Sequence, residues 1–220
     1  MPVDINPLKV CSFNCLYCPF GNTSRLIIER EEFYPPENIF EEIDDFIKEN
    51  EEPDYVWLKG TGDPILYSGF KKLTQLIKKK YPNLKIGSWL NGSLLEREDV
   101  RSDFSICDLI VIHLDSINLK EFRKIARPHE DVKLDNIIKA ISLFKKEFNG
   151  KFGISSIFIR NINTNEKNLQ GLKKLLLEIN PDLYIVQEFN NEKFKPLPEE
   201  LKAEIEKKFR DLPFEILFRF

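Results

Sequence analysis

Leu109-Ile110-Val111-Ile112-His113-Leu114 reads as a near-continuous apolar strand. A strand with so little alternation is buried on both faces, and that is the signature of a parallel sheet covered by helices. Working outward, Leu84 to Leu90 and Tyr55-Val56-Trp57-Leu58 are strands on its N-terminal side. Phe152 to Ile159, Leu183 to Phe189 and the β-rich run Phe214 to Phe220 follow it. Val3-Asp4-Ile5 adds a short strand that Pro7 breaks.

Between these strands the apolar residues recur at helical spacing. Ile39, Phe40, Ile43, Phe46 and Ile47 follow Pro36, which suits a first helical turn. Phe70, Leu73, Leu76 and Ile77 mark the next helix, and Leu94 to Val100 predicts a short one. Leu119, Phe122 and Ile125 give another, and the stretch from Leu134 to Phe148 a long one. Leu169 to Ile179 and Leu201 to Phe209 complete the set. Strand and helix thus alternate about six times, too few for a closed eight-stranded barrel. A doubly wound sheet and a curved partial barrel both fit, within a single domain spanning residues 1–220. In either fold, ligands gather at the carboxyl ends of the strands. Those ends carry Gly60 to Asp63, Ser88 to Asn91, His113 to Asp115 and Gln187-Glu188.

Composition narrows the class. With 42% hydrophobic and 31% charged residues, the chain is neither fibrous nor disordered. A sequence pI near 5.7 is not that of a protein that coats nucleic acid. The basic helix end Lys71, Lys72, Lys78, Lys79, Lys80 reads as a solvated face near a negative helix terminus. No apolar run is long enough to span a bilayer, and Met1-Pro2-Val3-Asp4 does not look like a secretory leader. A cytoplasmic setting is the expectation.

Of the four cysteines, Cys11, Cys15 and Cys18 fall within eight residues and Cys107 stands apart. That is not a secreted disulfide framework. Three chemistries remain open. Structural zinc needs a fourth protein ligand, and Cys107, in an apolar setting, reads as core packing. A [4Fe–4S] cluster held by three thiolates leaves one iron open to an outside ligand. A disulfide with one spare thiol is the third.

The spacing Cys11-x-x-x-Cys15-x-Tyr17-Cys18, with an aromatic before the third cysteine, resembles the signature of the radical S-adenosylmethionine (SAM) superfamily. Gly60-Thr61-Gly62-Asp63-Pro64 is similar to that superfamily's glycine-glycine-glutamate-proline turn, with Asp63 in place of glutamate. The resemblance is greatest to the iron–sulfur oxidoreductase group that includes archaeal wyosine-pathway enzymes. It rests on stretches such as Asn91-Gly92-Ser93-Leu94-Leu95, Leu114-Asp115, Arg127-Pro128-His129 and Ile179-Asn180-Pro181-Asp182. It implies an α/β fold of the partial (β/α)6 barrel type.

The resemblance also implies cofactors and site residues. Cys11, Cys15 and Cys18 would ligate a [4Fe–4S] cluster, and S-adenosylmethionine would bind its open iron. Gly60, Thr61, Gly62 and Asp63 would receive the methionine ammonium, and Tyr17 and Phe20 would flank the adenine. Asn91, His113 and Asp115 are further cofactor-contact candidates, and Arg127 and Gln187 lie on the rim. His113 stands where relatives carry a small hydroxyl residue, and Ser155 where they carry an acidic one. The wyosine enzymes' second cysteine set and pyruvate-holding lysine find no match, which argues against that reaction. No cysteine follows residue 107, so no auxiliary cluster is expected. An external electron donor, a flavodoxin or ferredoxin, is implied. For the substrate, a tRNA base or nucleoside is favoured. A protein glycine, as in a glycyl-radical activase, and a non-catalytic zinc or iron–sulfur module are the alternatives.

Overall fold

A computed structural model describes residues 1–220. Seven parallel strands form one sheet: β1 (Pro2–Asp4), β4 (Tyr55–Lys59), β5 (Lys85–Leu90), β6 (Leu109–His113), β7 (Lys151–Phe158), β8 (Leu183–Glu188) and β9 (Glu215–Arg219). A second, two-residue parallel ladder joins β2 (Val10–Cys11) to β3 (Arg25–Leu26) inside the first connection. The helices are α1 (Pro36–Glu49), α2 (Phe70–Lys80), α3 (Glu98–Phe104), α4 (Leu119–Ala126), α5 (Leu134–Glu147), α6 (Glu166–Ile179) and α7 (Glu199–Phe209).

The strand order settles the choice that periodicity left open. The sheet runs β1-β4-β5-β6-β7-β8-β9, always onward and never reversing. A doubly wound sheet reverses its order at a switch point. Here each crossover steps the same way, and right-handed connections then place every helix on one face. The result is a partial barrel with β1 and β9 as open edges.

The two faces separate cleanly in the packing. Leu58, Ile86, Ile110, Ile112, Phe152, Ile154, Phe158 and Tyr184 join helix residues such as Ile43, Leu73, Phe144, Leu172 and Phe209 in the main core. Val111, Leu183 and Ile185 form a separate cluster on the inner face with Trp89, Leu109 and Leu217, and no helix contributes to it.

Two sequence readings need correction. The helix expected over Leu94–Val100 begins at Glu98 instead. Leu94 and Leu95 are buried, but they belong to the turn that follows Gly92, whose φ of +78° favours glycine. Glu98 and Asp99 then occupy the first helical turn, where negative charge suits the dipole. The stretch Cys11 to Gly21, read as loop throughout, starts on a strand, because Val10 and Cys11 pair with Arg25 and Leu26. The basic cluster expected at one end of α2 is split: Lys71 and Lys72 lie in its first turn, where Lys72 bonds Glu37, and Lys78 to Lys80 in its last, where Lys78 bonds Asp108 at 2.8 Å and Lys80 bonds Asp44.

Candidate active site

The cysteine loop is laced to the end of α4. Asn14 N–H donates to the carbonyls of Ala126 (3.0 Å) and Arg127 (3.1 Å), and Leu16 N–H to Ile125 (2.8 Å). His129 N–H returns a bond to the Ser12 carbonyl at 2.9 Å. Phe13 meets Phe122 edge-on with ring centres 5.6 Å apart. Arg127 takes the left-handed conformation (φ +44°) that closes α4. Its side chain is exposed outside the cavity, and its contribution to the loop is the backbone carbonyl.

On its other side the loop meets the turn after β4. Asp63 N–H donates to the Val10 carbonyl at 3.2 Å, and Lys9 N–H to the Thr61 carbonyl at 3.1 Å. Gly62 cannot be replaced here: a Cβ would stand 1.8 Å from the Val10 carbonyl oxygen. Asp63 Oδ1 accepts from Ile65 N–H (2.9 Å) and Oδ2 from Asn91 N–H (3.1 Å). The carboxylate therefore joins the ends of β4 and β5. Burial nonetheless pushes its pKa up to about 7, because two amide donors do not replace full hydration.

Asn91 ties the next strand end to the loop. Its Nδ2 donates to Ser12 Oγ at 2.8 Å, its Oδ1 accepts from Ser93 N–H at 2.9 Å, and Ser12 Oγ meets Ser93 Oγ at 2.7 Å. Asp115, after β6, takes the Tyr17 hydroxyl on Oδ2 (2.7 Å) and Ile157 N–H on Oδ1 (2.8 Å). Burial raises its pKa to about 6. His113 is pushed down to about 4 by burial alone, so its imidazole is neutral. Its Nδ1 is buried without a partner.

These elements enclose a cavity of about 450 Å³. It is lined by Cys11, Cys15, Cys18, Tyr17, Phe20, the Gly60–Asp63 turn, Asn91, His113 and Asp115. Ser155 and Gln187 lie outside that lining and bond each other at 3.1 Å. Cys107 lies in the main core. The sequence reading missed Lys9, Ser12 and Ser93. Lys9 is 5% exposed, and its Nζ donates to Cys18 Sγ at 3.0 Å.

The donor set fits an iron–sulfur cluster. Burial pushes the Cys11 thiol up to about 12 and also raises that of Cys15, which Cys11 and Cys18 raise further. Thiols crowded in this way ionise together only when cationic metal sits among them. The buried Lys9 ammonium, which has no carboxylate partner, also suits an anionic group beside Cys18.

The radical SAM superfamily model matches residues 5–175, and the chain belongs to that superfamily. Its members are enzymes that use a [4Fe–4S] cluster, S-adenosylmethionine and an electron donor. A UPF0026 protein of Methanocaldococcus jannaschii is 34% identical over 178 residues, covering 80% of this chain and 55% of that protein. A GTPase Obg of Brachyspira hyodysenteriae is 29% identical over 211 residues, covering 94% of this chain and 31% of that protein. The chain therefore spans 31% to 55% of the length of these relatives. Streptococcus suis SuiB shares the fold at 15% identity, with a TM-score of 0.73 over 99% of this chain and 49% of SuiB. SuiB has also been solved with S-adenosylmethionine bound. No helix of this chain is long and apolar enough to cross a membrane.

Proposed function

We propose that this chain is a radical SAM enzyme domain that holds its cluster on Cys11, Cys15 and Cys18 and acts on a tRNA base or nucleoside. The supporting observation is the placement of Cys11, Cys15 and Cys18. They sit on a loop fastened to α4 and to the β4 turn, over a cavity at the carboxyl ends of the strands. When bound, the cluster and S-adenosylmethionine would supply the chemistry, reductive cleavage of the sulfonium and hydrogen-atom abstraction from the substrate, with a flavodoxin or ferredoxin as the electron donor. The protein supplies position and exclusion of water.

Cys11, Cys15 and Cys18 hold the cluster. Gly60, Thr61, Gly62 and Asp63 would receive the cofactor's ammonium, the buried Asp63 carboxylate favouring its positive charge. Tyr17 and Phe20 flank the adenine. Asp115 fixes the Tyr17 ring through its hydroxyl, and Asn91 fixes the loop between Cys11 and Phe13. The proposed compartment is the cytoplasm, where reduced thiols are kept available.

The test is anaerobic reconstitution followed by metal and sulfide analysis and a dithionite-driven cleavage assay. Four irons and four sulfides per chain, with 5′-deoxyadenosine formed on reduction, are the expected results. A colourless protein carrying one zinc ion ends the proposal. Salt-sensitive tRNA binding supports the substrate class. Co-purification with a glycyl-radical protein replaces it with an activase.

A further inference from the structure

Beside its small apolar cluster, the inner face of the sheet carries aromatic and polar side chains that line the cavity. Trp57 on β4 packs over Gly87 of β5, where a Cβ would stand 2.8 Å from Trp57 Cε3 and 2.9 Å from Cζ3, so glycine leaves room for the indole against the strand. Tyr55 stacks beside it, with ring centres 5.8 Å apart and planes 26° apart. Trp89, two residues on from Gly87, tilts against His113 with centres 5.1 Å apart. The chain has only two tryptophans, and both line the cavity.

Two polar groups on this floor lack partners. Lys59 lines the cavity and makes no ion pair or side-chain hydrogen bond, although Asp4 is its register neighbour on β1. His113 also lines the cavity and its imidazole makes no hydrogen bond; Nδ1 is closed off from the open space, which leaves Nε2 as the free edge. Indole faces suit flat rings, a lone ammonium suits an anion, and a neutral imidazole suits a hydrogen-bonding edge.

We infer that the Trp57–Trp89 floor, with Lys59 and His113, binds the substrate as a planar aromatic ring bearing an acidic group. This rests on the radical SAM enzyme reading above and names the kind of molecule presented to it. The ring lies on the indoles, the acid meets Lys59 and the ring edge meets His113. The cofactor's own adenine is assigned to the Tyr17 and Phe20 side.

The test is calorimetry on anaerobically reconstituted protein saturated with S-adenosylmethionine, so that the cofactor's ring is already accounted for. The probes are GMP, tryptophan and glutamate. GMP or tryptophan should bind at least tenfold more tightly than glutamate, and which of the two binds identifies the source of the ring. Trp57→Ala should weaken that binding roughly tenfold, in keeping with the loss of one stacking partner. Trp57→Phe keeps a ring and should retain most of it, which guards against a folding defect. Lys59→Met should weaken GMP more than guanosine. Equal binding of all three probes, no binding of either planar acid, or indifference to Trp57→Ala overturns the inference. 5′-Deoxyadenosine formation in the same preparation separates the two ideas. Cleavage without planar-ligand binding sinks only the floor, whereas absence of cleavage and of cluster sinks the enzyme reading.

Discussion

The helix-covered face of the sheet and its inner face come from the same strands and share almost no chemistry. Along β6 and β7, Ile110, Ile112, Phe152 and Ile154 face the helices and are fully buried. The alternate positions on β4, β5 and β6 turn Trp57, Lys59, Trp89 and His113 toward the cavity, with Gly87 between them and Leu109 and Val111 in a small apolar cluster. The first face carries most of the burial, because it meets all the helices. On the second, a small aliphatic cluster leaves the cavity end to polar and aromatic groups that would be costly in a core. Period-two geometry makes this division possible: one strand serves stability and site with alternate residues.

The largest expected effect separates two cysteines rather than two faces. Cys15→Ala should leave no cluster after reconstitution, while Cys107→Ala should bind the full complement of iron. Iron analysis and the visible spectrum decide it. A cluster that survives Cys15→Ala and is lost with Cys107→Ala would reverse the ligand assignment. The next effect tests the faces directly. Phe152→Ala removes a ring packed between Phe144 and Phe148 on the helix side, and should cost about 3–5 kcal/mol. That is a large part of a typical domain's stability. Trp57→Phe on the inner face should cost under about 1.5 kcal/mol. Denaturant midpoints compare them, and equal losses would remove the distinction between a structural and a functional face.

The sequence announced the helix-covered face more fully than the inner one, for a physical reason. Burial against helices leaves a local pattern, so Leu109–Leu114 and Phe152–Ile159 are legible as strands without knowledge of their neighbours. The cysteine triad is legible because its ligand spacing is local. Lys9, Ser12 and Ser93 were not legible, since their roles depend on partners brought in by the fold. Ser12 and Ser93 meet across 81 positions of chain. Trp57 likewise reads as an ordinary strand aromatic until Gly87 is placed beneath it by the parallel register. The start of α3 was misread because Leu94 and Leu95 are apolar for burial within a turn, which periodicity alone cannot separate from a helix face.

A smaller effect sharpens the boundary between the faces at the rim. Tyr17→Phe deletes one hydroxyl and leaves Asp115 Oδ2 without its 2.7 Å donor. A hydrogen bond to a buried carboxylate is worth about 1.5–3 kcal/mol. At 2–4 °C per kcal/mol for a chain of this size, the melting temperature should fall by roughly 3–12 °C. Cluster content should stay unchanged, because the ring is retained. Loss of iron with no change in melting would show that the hydroxyl serves the cluster loop and not the strand end.

The smallest effect concerns a residue on neither face. Lys9 is buried, has a left-handed backbone (φ +60°), and is fixed by bonds from its own N–H and to its carbonyl from Ser24 and Arg25. Its Nζ has no carboxylate partner, only Cys18 Sγ at 3.0 Å. An iron–sulfur potential responds to net charge and to hydrogen bonds on the sulfurs. A cation here favours the reduced, more negative cluster. Lys9→Met should therefore lower the midpoint potential, by about 59 mV if the reduced-to-oxidised ratio at fixed poise falls tenfold. Lys9→Arg, which keeps the charge, should move it much less. Both are read by a spectroscopically monitored redox titration of the reconstituted protein, with iron content as a control. Equal shifts in the two variants would assign the effect to the shape of the loop, and no shift in Lys9→Met would mean that solvent or other charges screen this ammonium from the cluster.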